Sequence, residues 1–98
     1  MTKYELLKDY IEGCITDMNE NVDWARDKMQ DDDKTFRYHW ALDTIDKEDD
    51  KAFGTLQYVK IWEREIDDSQ YKELADMLHN AWCCARDRAA NEIMMARN

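Results

Sequence analysis

The chain has 98 residues, with 23 acidic and 14 basic side chains, a net charge of −9, four tryptophans, five tyrosines and no proline. That acid excess excludes direct DNA or RNA binding and attachment to an anionic membrane, since both need clustered Lys and Arg. No apolar run approaches the ~20 residues of a spanning helix, and the aromatic content sets the chain apart from disordered acidic tails.

One helical domain over residues 1–98 is expected from this length. Ten acids face four bases in residues 1–33, nine face six in 34–68, and four face four in 69–98. The acidity therefore belongs to the first two thirds. Met1-Thr2-Lys3-Tyr4-Glu5 has no apolar run of the signal-peptide kind. With three cysteines, Cys14, Cys83 and Cys84, read as free and packed thiols, a cytoplasmic location is expected.

Four helical segments are predicted in chain order. The first runs from Thr2 to about Gln30, with Thr2 and Glu5 as a capping box. Tyr4, Leu7, Ile11, Cys14, Met18, Val22, Ala25 and Met29 recur along it at three and four residues. Gly13 and Asn19–Asn21 are its weak points. The second runs from Lys34 to Ile45, the third from Lys51 to Ile66. Leu56 to Ile61 is rich in strand formers, but a lone strand would have nothing to pair with, so helix is preferred. The fourth runs from Ser69, as its cap, to near Arg97. The acidic runs Asp31–Asp33, Asp46–Asp50 and Asp67–Asp68 read as turns that cap the next helix. The expectation is an all-α bundle of about four helices, two long at the ends and two short in the middle.

Two short middle helices would leave the outer halves of the long ones uncovered. Those halves carry Tyr4, Leu7, Tyr10 and Ile11 on one side and Ala89, Ile93 and Met94 on the other. They are expected to form an apolar seam completed by a partner or, in a homodimer, by a second copy. A break near Asn19–Asn21 would instead let the first helix fold back and close the core.

The tryptophans fall one per segment. Trp62 and Trp82 lie on apolar stripes and read as core. Trp24 and Trp40 flank the first acidic turn and are the better candidates for a partner contact. Beside them, Glu12, Asp17, Glu20, Asp23, Asp27, Asp31, Asp32 and Asp33 form a candidate acidic face.

Little in the chain suggests chemistry. His79 and Cys83 are four apart, as zinc ligands on one helix face can be, but a complete site needs two more; we expect no metal and no cofactor. Ser69 is the only serine and sits at a predicted cap, and two glycines cannot build a phosphate-cradling loop. Glu73-Leu74-Ala75-Asp76 places two carboxylates at i and i+3. The string Lys72-Glu73-Leu74-Ala75-Asp76-Met77-Leu78 resembles the second motif of the all-α nucleotide pyrophosphohydrolases of the MazG type. That resemblance implies magnesium on Glu73 and Asp76, with a Glu-x-x-Glu on a preceding helix. It covers only these residues, and the upstream pair Asp17 and Glu20 is an Asp-x-x-Glu instead.

The expected function is a small acidic protein-binding module rather than an enzyme. Its partner would be a basic protein or a nucleic-acid-binding complex, approached under electrostatic steering. Size and composition are like those of many phage-encoded inhibitors and anti-defence factors, anti-CRISPR proteins included. The alternatives are a nucleic-acid mimic that blocks a DNA- or RNA-binding enzyme, and the pyrophosphohydrolase.

Overall fold

The computed structural model describes residues 1–30 and 32–95. Helix α1 spans Lys3–Asp27, begun by the Thr2 hydroxyl, which accepts from the Glu5 N–H. Neither Gly13 nor Asn19–Asn21 interrupts it. Its buried side chains Leu7, Ile11, Cys14, Met18, Val22 and Ala25 keep one apolar face in step from end to end.

Helix α2 spans Lys34–Tyr58, so the two short middle segments are one helix and the bundle has three helices among the described residues, not four. The Asp33 carboxylate caps it by accepting from the N–H groups of Thr35 and Phe36. Asp46–Asp50 is not a turn, for two physical reasons. Ala41, Ile45, Ala52 and Leu56 carry the buried face straight through it. Its charges also find cations: Asp43 pairs with Lys47, Glu48 with Lys51, and Asp46 with Arg86. The segment from Leu56 to Ile61 is helical, but α2 ends in a wider π-helical turn, Val59–Glu63. Arg64 then stops it in the left-handed region at φ 55°.

Helix α3 spans Asp68–Ala89 and also ends in a π-helical turn, Ala90–Met94. Its cap is Asp67, in a capping box with Gln70, rather than Ser69. Short connections make the helices run up, down and up, which leaves α1 parallel to α3. Tyr4 donates to Glu73 at 2.6 Å near one end, and Arg26 pairs with Glu92 at 3.0 Å near the other.

The core lies along the shared axis. Ile11, Met18, Val22, Ile45, Leu56, Leu74 and Leu78 are its largest fully buried side chains. Ala25, Ala41, Ala52, Ala85 and Ala89 are also buried and let the helices approach. The result is a rod of 48 × 19 × 18 Å. Its radius of gyration of 15.3 Å exceeds the ~13 Å of a round domain this size. Among the described residues, no helix is long and apolar enough to cross a membrane.

The parallel course of α1 and α3 changes the geometry behind the expected seam. Tyr4, Leu7, Tyr10 and Ile11 sit at one end of the rod, and Ala89, Ile93 and Met94 at the other. Leu7, Ile11, Ala89 and Ile93 are buried within the chain itself. With three helices of similar length, no long helix is left half covered. Trp62 departs from its expected place too: it is 76% exposed. The wide turn over Val59–Glu63 carries it off the stripe defined by Leu56 and Val59.

Candidate functional site

Five positions on α1 line up as a ridge: Glu5, Asp9, Glu12, Glu20 and Asp27, with Thr16 and Asp23 completing the spacing. Their spacing copies that of the buried stripe Leu7–Ile11–Cys14–Met18–Val22–Ala25, displaced by two residues. Two residues are about 200° of helical rotation, so the carboxylates lie opposite the core. From Glu5 to Asp27 the ridge runs about 33 Å. No Lys or Arg falls on it. Glu5, Asp9, Glu12 and Glu20 are exposed and make no ion pair among the described residues.

The expected acidic face is therefore divided. Glu12 and Glu20 stand on the ridge, while Asp17 is exposed on its flank. Asp23 and Asp27 are partly neutralised: Arg26 binds Asp27 at 2.6 Å and Asp23 at 3.3 Å, and Arg88 pairs with Asp23. Hydrogen bonding to Arg26 holds the Asp27 carboxyl below the usual carboxylate range. Arg88 also donates to the Asn19 carbonyl at 3.2 Å and reaches Glu92 at 3.1 Å, so these charges tie α1 to α3. Asp33 caps α2, Asp32 is exposed, and Asp31 lies outside the described residues. Glu5 and Asp9 were missed by sequence reasoning; the two-residue offset from the apolar stripe is the signal that finds them.

Trp24 and Trp40 do meet. Their rings lie 5.2 Å apart at 39°, across the α1–α2 contact. Trp24 remains 47% exposed. Around it, Glu20, Asp23, Asp27 and Lys28 form the walls of a shallow hollow of about 200 Å³. An aromatic face bordered by Glu20, by the partly neutralised Asp23 and Asp27 and by Lys28 can meet a Lys or Arg side chain through the ring quadrupole and the Glu20 charge.

At the other end of the α1–α2 face lies a second groove, of about 190 Å³, lined by Leu6, Tyr10, Thr55, Tyr58 and the Lys3–Glu63 ion pair. Leu6 and Tyr58 are more than half exposed, and Trp62 follows Tyr58 by one turn. Sequence reasoning named Tyr10 here but not Tyr58, which helical spacing already sets off the Leu56–Val59 stripe, nor Trp62, which the spacing puts on that stripe but the π-helical turn carries off it.

The α2–α3 side holds the remaining polar cluster. Asp46 accepts from the Trp82 indole at 2.8 Å and from Arg86 at 2.8 and 3.0 Å, while Arg86 lies 4.9 Å over the Trp82 ring. His79 stacks on Trp82 at 6.0 Å, and its Nε2 lies 3.6 Å from the Cys83 sulfur. Trp82 is thus a half-buried side chain at the rim of the core. Of the three free thiols, Cys14 is buried, Cys83 half-buried and Cys84 exposed, so only Cys14 is packed as expected. Burial pushes the Cys14 thiol up.

Glu73 accepts from Tyr4 and lies 3.7 Å from Lys8, whereas Asp76 pairs with Lys72 at 2.8 Å. Asp17 and Glu20 sit far along α1 from them, level with the second half of α3. Among the described residues, no group of three or more His, Cys, Asp or Glu converges as a metal site would. No protein-family model, curated protein or solved structure matches the chain.

Proposed function

We propose that the chain is a small acidic protein-binding module, an inhibitor or adaptor that occupies a basic surface of a partner protein. The observation that carries this reading is the α1 ridge. Glu5, Asp9, Glu12 and Glu20 form an acidic line, broken by Thr16 but by no Lys or Arg, and bordered at one end by exposed Leu6 and Tyr10 and at the other by Trp24. The line supplies long-range steering, and the aromatic ends supply area that can be desolvated on contact. Its size and charge suit an anti-defence factor of a phage or mobile element, such as an anti-CRISPR protein.

The same ridge favours a second reading, a nucleic-acid mimic, because its carboxylates follow one another without an intervening cation. Lys8 and Arg26, on the flank facing α3, weigh against a close copy of a phosphate track.

Capture from a bacterial lysate at low and high salt tests the proposal, using the parent, Trp24→Ala, and a variant with Glu5, Asp9, Glu12 and Glu20 all changed to Gln. The expected result is one partner, held at low salt, weakened by salt and lost in both variants. A partner bound equally well by the Gln variant would refute the acidic-face reading. Competition between that partner's DNA or RNA and this chain would select the mimic.

A further inference from the structure

A pocket of about 220 Å³ opens between α2 and α3, on the side away from the α1 ridge, lined by Asp49, Phe53, Ala75, Leu78, His79 and Trp82. We propose that this pocket binds an organic monocation with an apolar stem, an alkyl- or arylammonium or guanidinium group, with Asp49 as its counter-ion.

The lining sets both the sign and the size of the ligand. Four of the six side chains are apolar or aromatic, and Asp49 is the one carboxylate. No Lys or Arg lines the space. The nearest guanidinium, Arg86, is already held by both oxygens of Asp46. Asp49, three residues further along α2, is half-buried and has no ion pair among the described residues. Burial, with Asp50 and Asp46 adding like charge and His79 opposing them more weakly, raises its proton affinity above that of an ordinary carboxylate. A positive group entering the pocket would relieve that desolvated charge; an anion would meet the unpaired Asp49 carboxylate. Trp82, already stacked on Arg86 at 4.9 Å and on His79 at 6.0 Å, supplies an apolar wall for the ligand's stem. The volume is below the ~300–1,000 Å³ of drug-sized sites, so it suits a single side chain or a small amine. A metal ion is a poorer match, since Asp49 and His79 are the only ligating side chains in the lining.

The chemistry could come from a free amine or from a Lys or Arg side chain of a partner, and the probes separate the two. Phenethylammonium represents the first, Nα-acetyl-arginine amide and Nα-acetyl-lysine amide the second. Phenethyl alcohol, of similar shape and no charge, is the control. Binding is followed by amide shifts in heteronuclear NMR and by Trp82 emission in a chain whose other three tryptophans are Phe. Saturable binding of a cation is expected, with shifts confined to Asp49, Phe53, Leu78, His79 and Trp82. Asp49→Asn should weaken it by about tenfold or more, while Asp50→Asn leaves it nearly unchanged. Tighter binding of the capped amino acids assigns the pocket to a partner's side chain; the reverse order assigns it to a free amine. Equal binding of phenethyl alcohol, an unaltered affinity in Asp49→Asn, or no saturable binding of any cation would overturn the proposal. The pocket lies apart from α1, so any of these results leaves the acidic-ridge reading standing.

Discussion

The chain's two glycines, Gly13 and Gly54, both sit inside helices, at negative φ, with open space around them. A methyl group built on either would meet nothing within 4 Å. Neither turn geometry nor close packing within the chain calls for glycine, so each weakens its helix. Relative to Ala, that loss is about 0.5–1 kcal/mol per site, through the extra freedom of the unfolded backbone. The sites are on different helices and share no contact, so the effects should add, giving about 1–2 kcal/mol for Gly13→Ala with Gly54→Ala. For a domain of this size that raises the melting temperature by roughly 5–15 °C. Thermal and urea unfolding followed by circular dichroism would measure it, with an unchanged urea slope expected. Destabilisation by either substitution would refute the reasoning, because it would mean that the added methyl meets a neighbour. The functional corollary concerns the α1–α2 face: Gly13 is one turn from Tyr10 and Gly54 one turn from Tyr58. If a partner packs its backbone there, the stabilised double variant should bind that partner less well.

Two further outcomes follow from the placement of single side chains. Trp62→Ala should change stability by less than about 0.5 kcal/mol, since the ring is 76% exposed. Trp82→Ala should lose roughly 2 kcal/mol, through lost packing and the missing indole hydrogen bond to Asp46; equal effects in urea titrations would contradict the fold at the end of α2. The Asp49 carboxyl is held above the ordinary carboxylate value, chiefly by burial and then by Asp50 and Asp46. The folded state therefore binds this proton more tightly than the unfolded chain, and the group's penalty sets in as pH rises through the folded value. Asp49→Asn should be more stable than the parent at pH 7, with the gap closing toward about pH 3. A gap that widens on acidification would show the sign to be reversed.

The helices were legible wherever one apolar period ran without a change of register. Leu7 to Ala25 and Leu74 to Ala89 needed only their spacing, and Asp33 and Asp67 served as the caps expected of Asp in acidic runs. Asp46–Asp50 carries the same chemistry and is not a cap. The difference lies in what flanks it: Ile45 and Ala52, seven residues apart, remain on one face, and Arg86 comes from another helix to neutralise Asp46. The first fact was in the sequence and outweighs the local preference of Asp; the second was not. Trp62 failed for another reason. A π-helical turn shifts the register by less than one residue, and no residue type in Val59–Glu63 announces it. Trp62 therefore reads as core in the sequence and stands as surface in the structure, beside the buried Leu56 and Val59. That misplacement also hid the Leu6–Tyr10–Tyr58 groove, while treating α2 as two short helices produced a seam from residues that lie at opposite ends of the rod.

The α1 ridge is the feature that the fold itself does least to justify. On α2, acids are followed by lysines, as in Asp43–Lys47 on its exposed side and Glu48–Lys51 on the flank toward α1, which adds a little stability. On α1, Glu5 and Asp9 are four apart and Asp9 and Glu12 three apart, so like charges face each other instead. Each such pair disfavours the helix by about 0.2–0.5 kcal/mol. Asp9→Lys would turn both repulsions into attractions, with Glu5 N-terminal to the new Lys in the better orientation. The expected gain is about 1 kcal/mol at low ionic strength. It should fade at 1 M salt, where the Debye length falls to about 3 Å. Paired urea titrations at low and high salt measure both numbers. A ridge that serves only solubility would tolerate the change in every assay. A ridge that meets a basic partner would not: the variant should be the more stable protein and the weaker binder. Gain in stability with partner affinity intact would remove the ridge from the interface, and no gain at low salt would show that these carboxylates do not repel one another as their spacing requires.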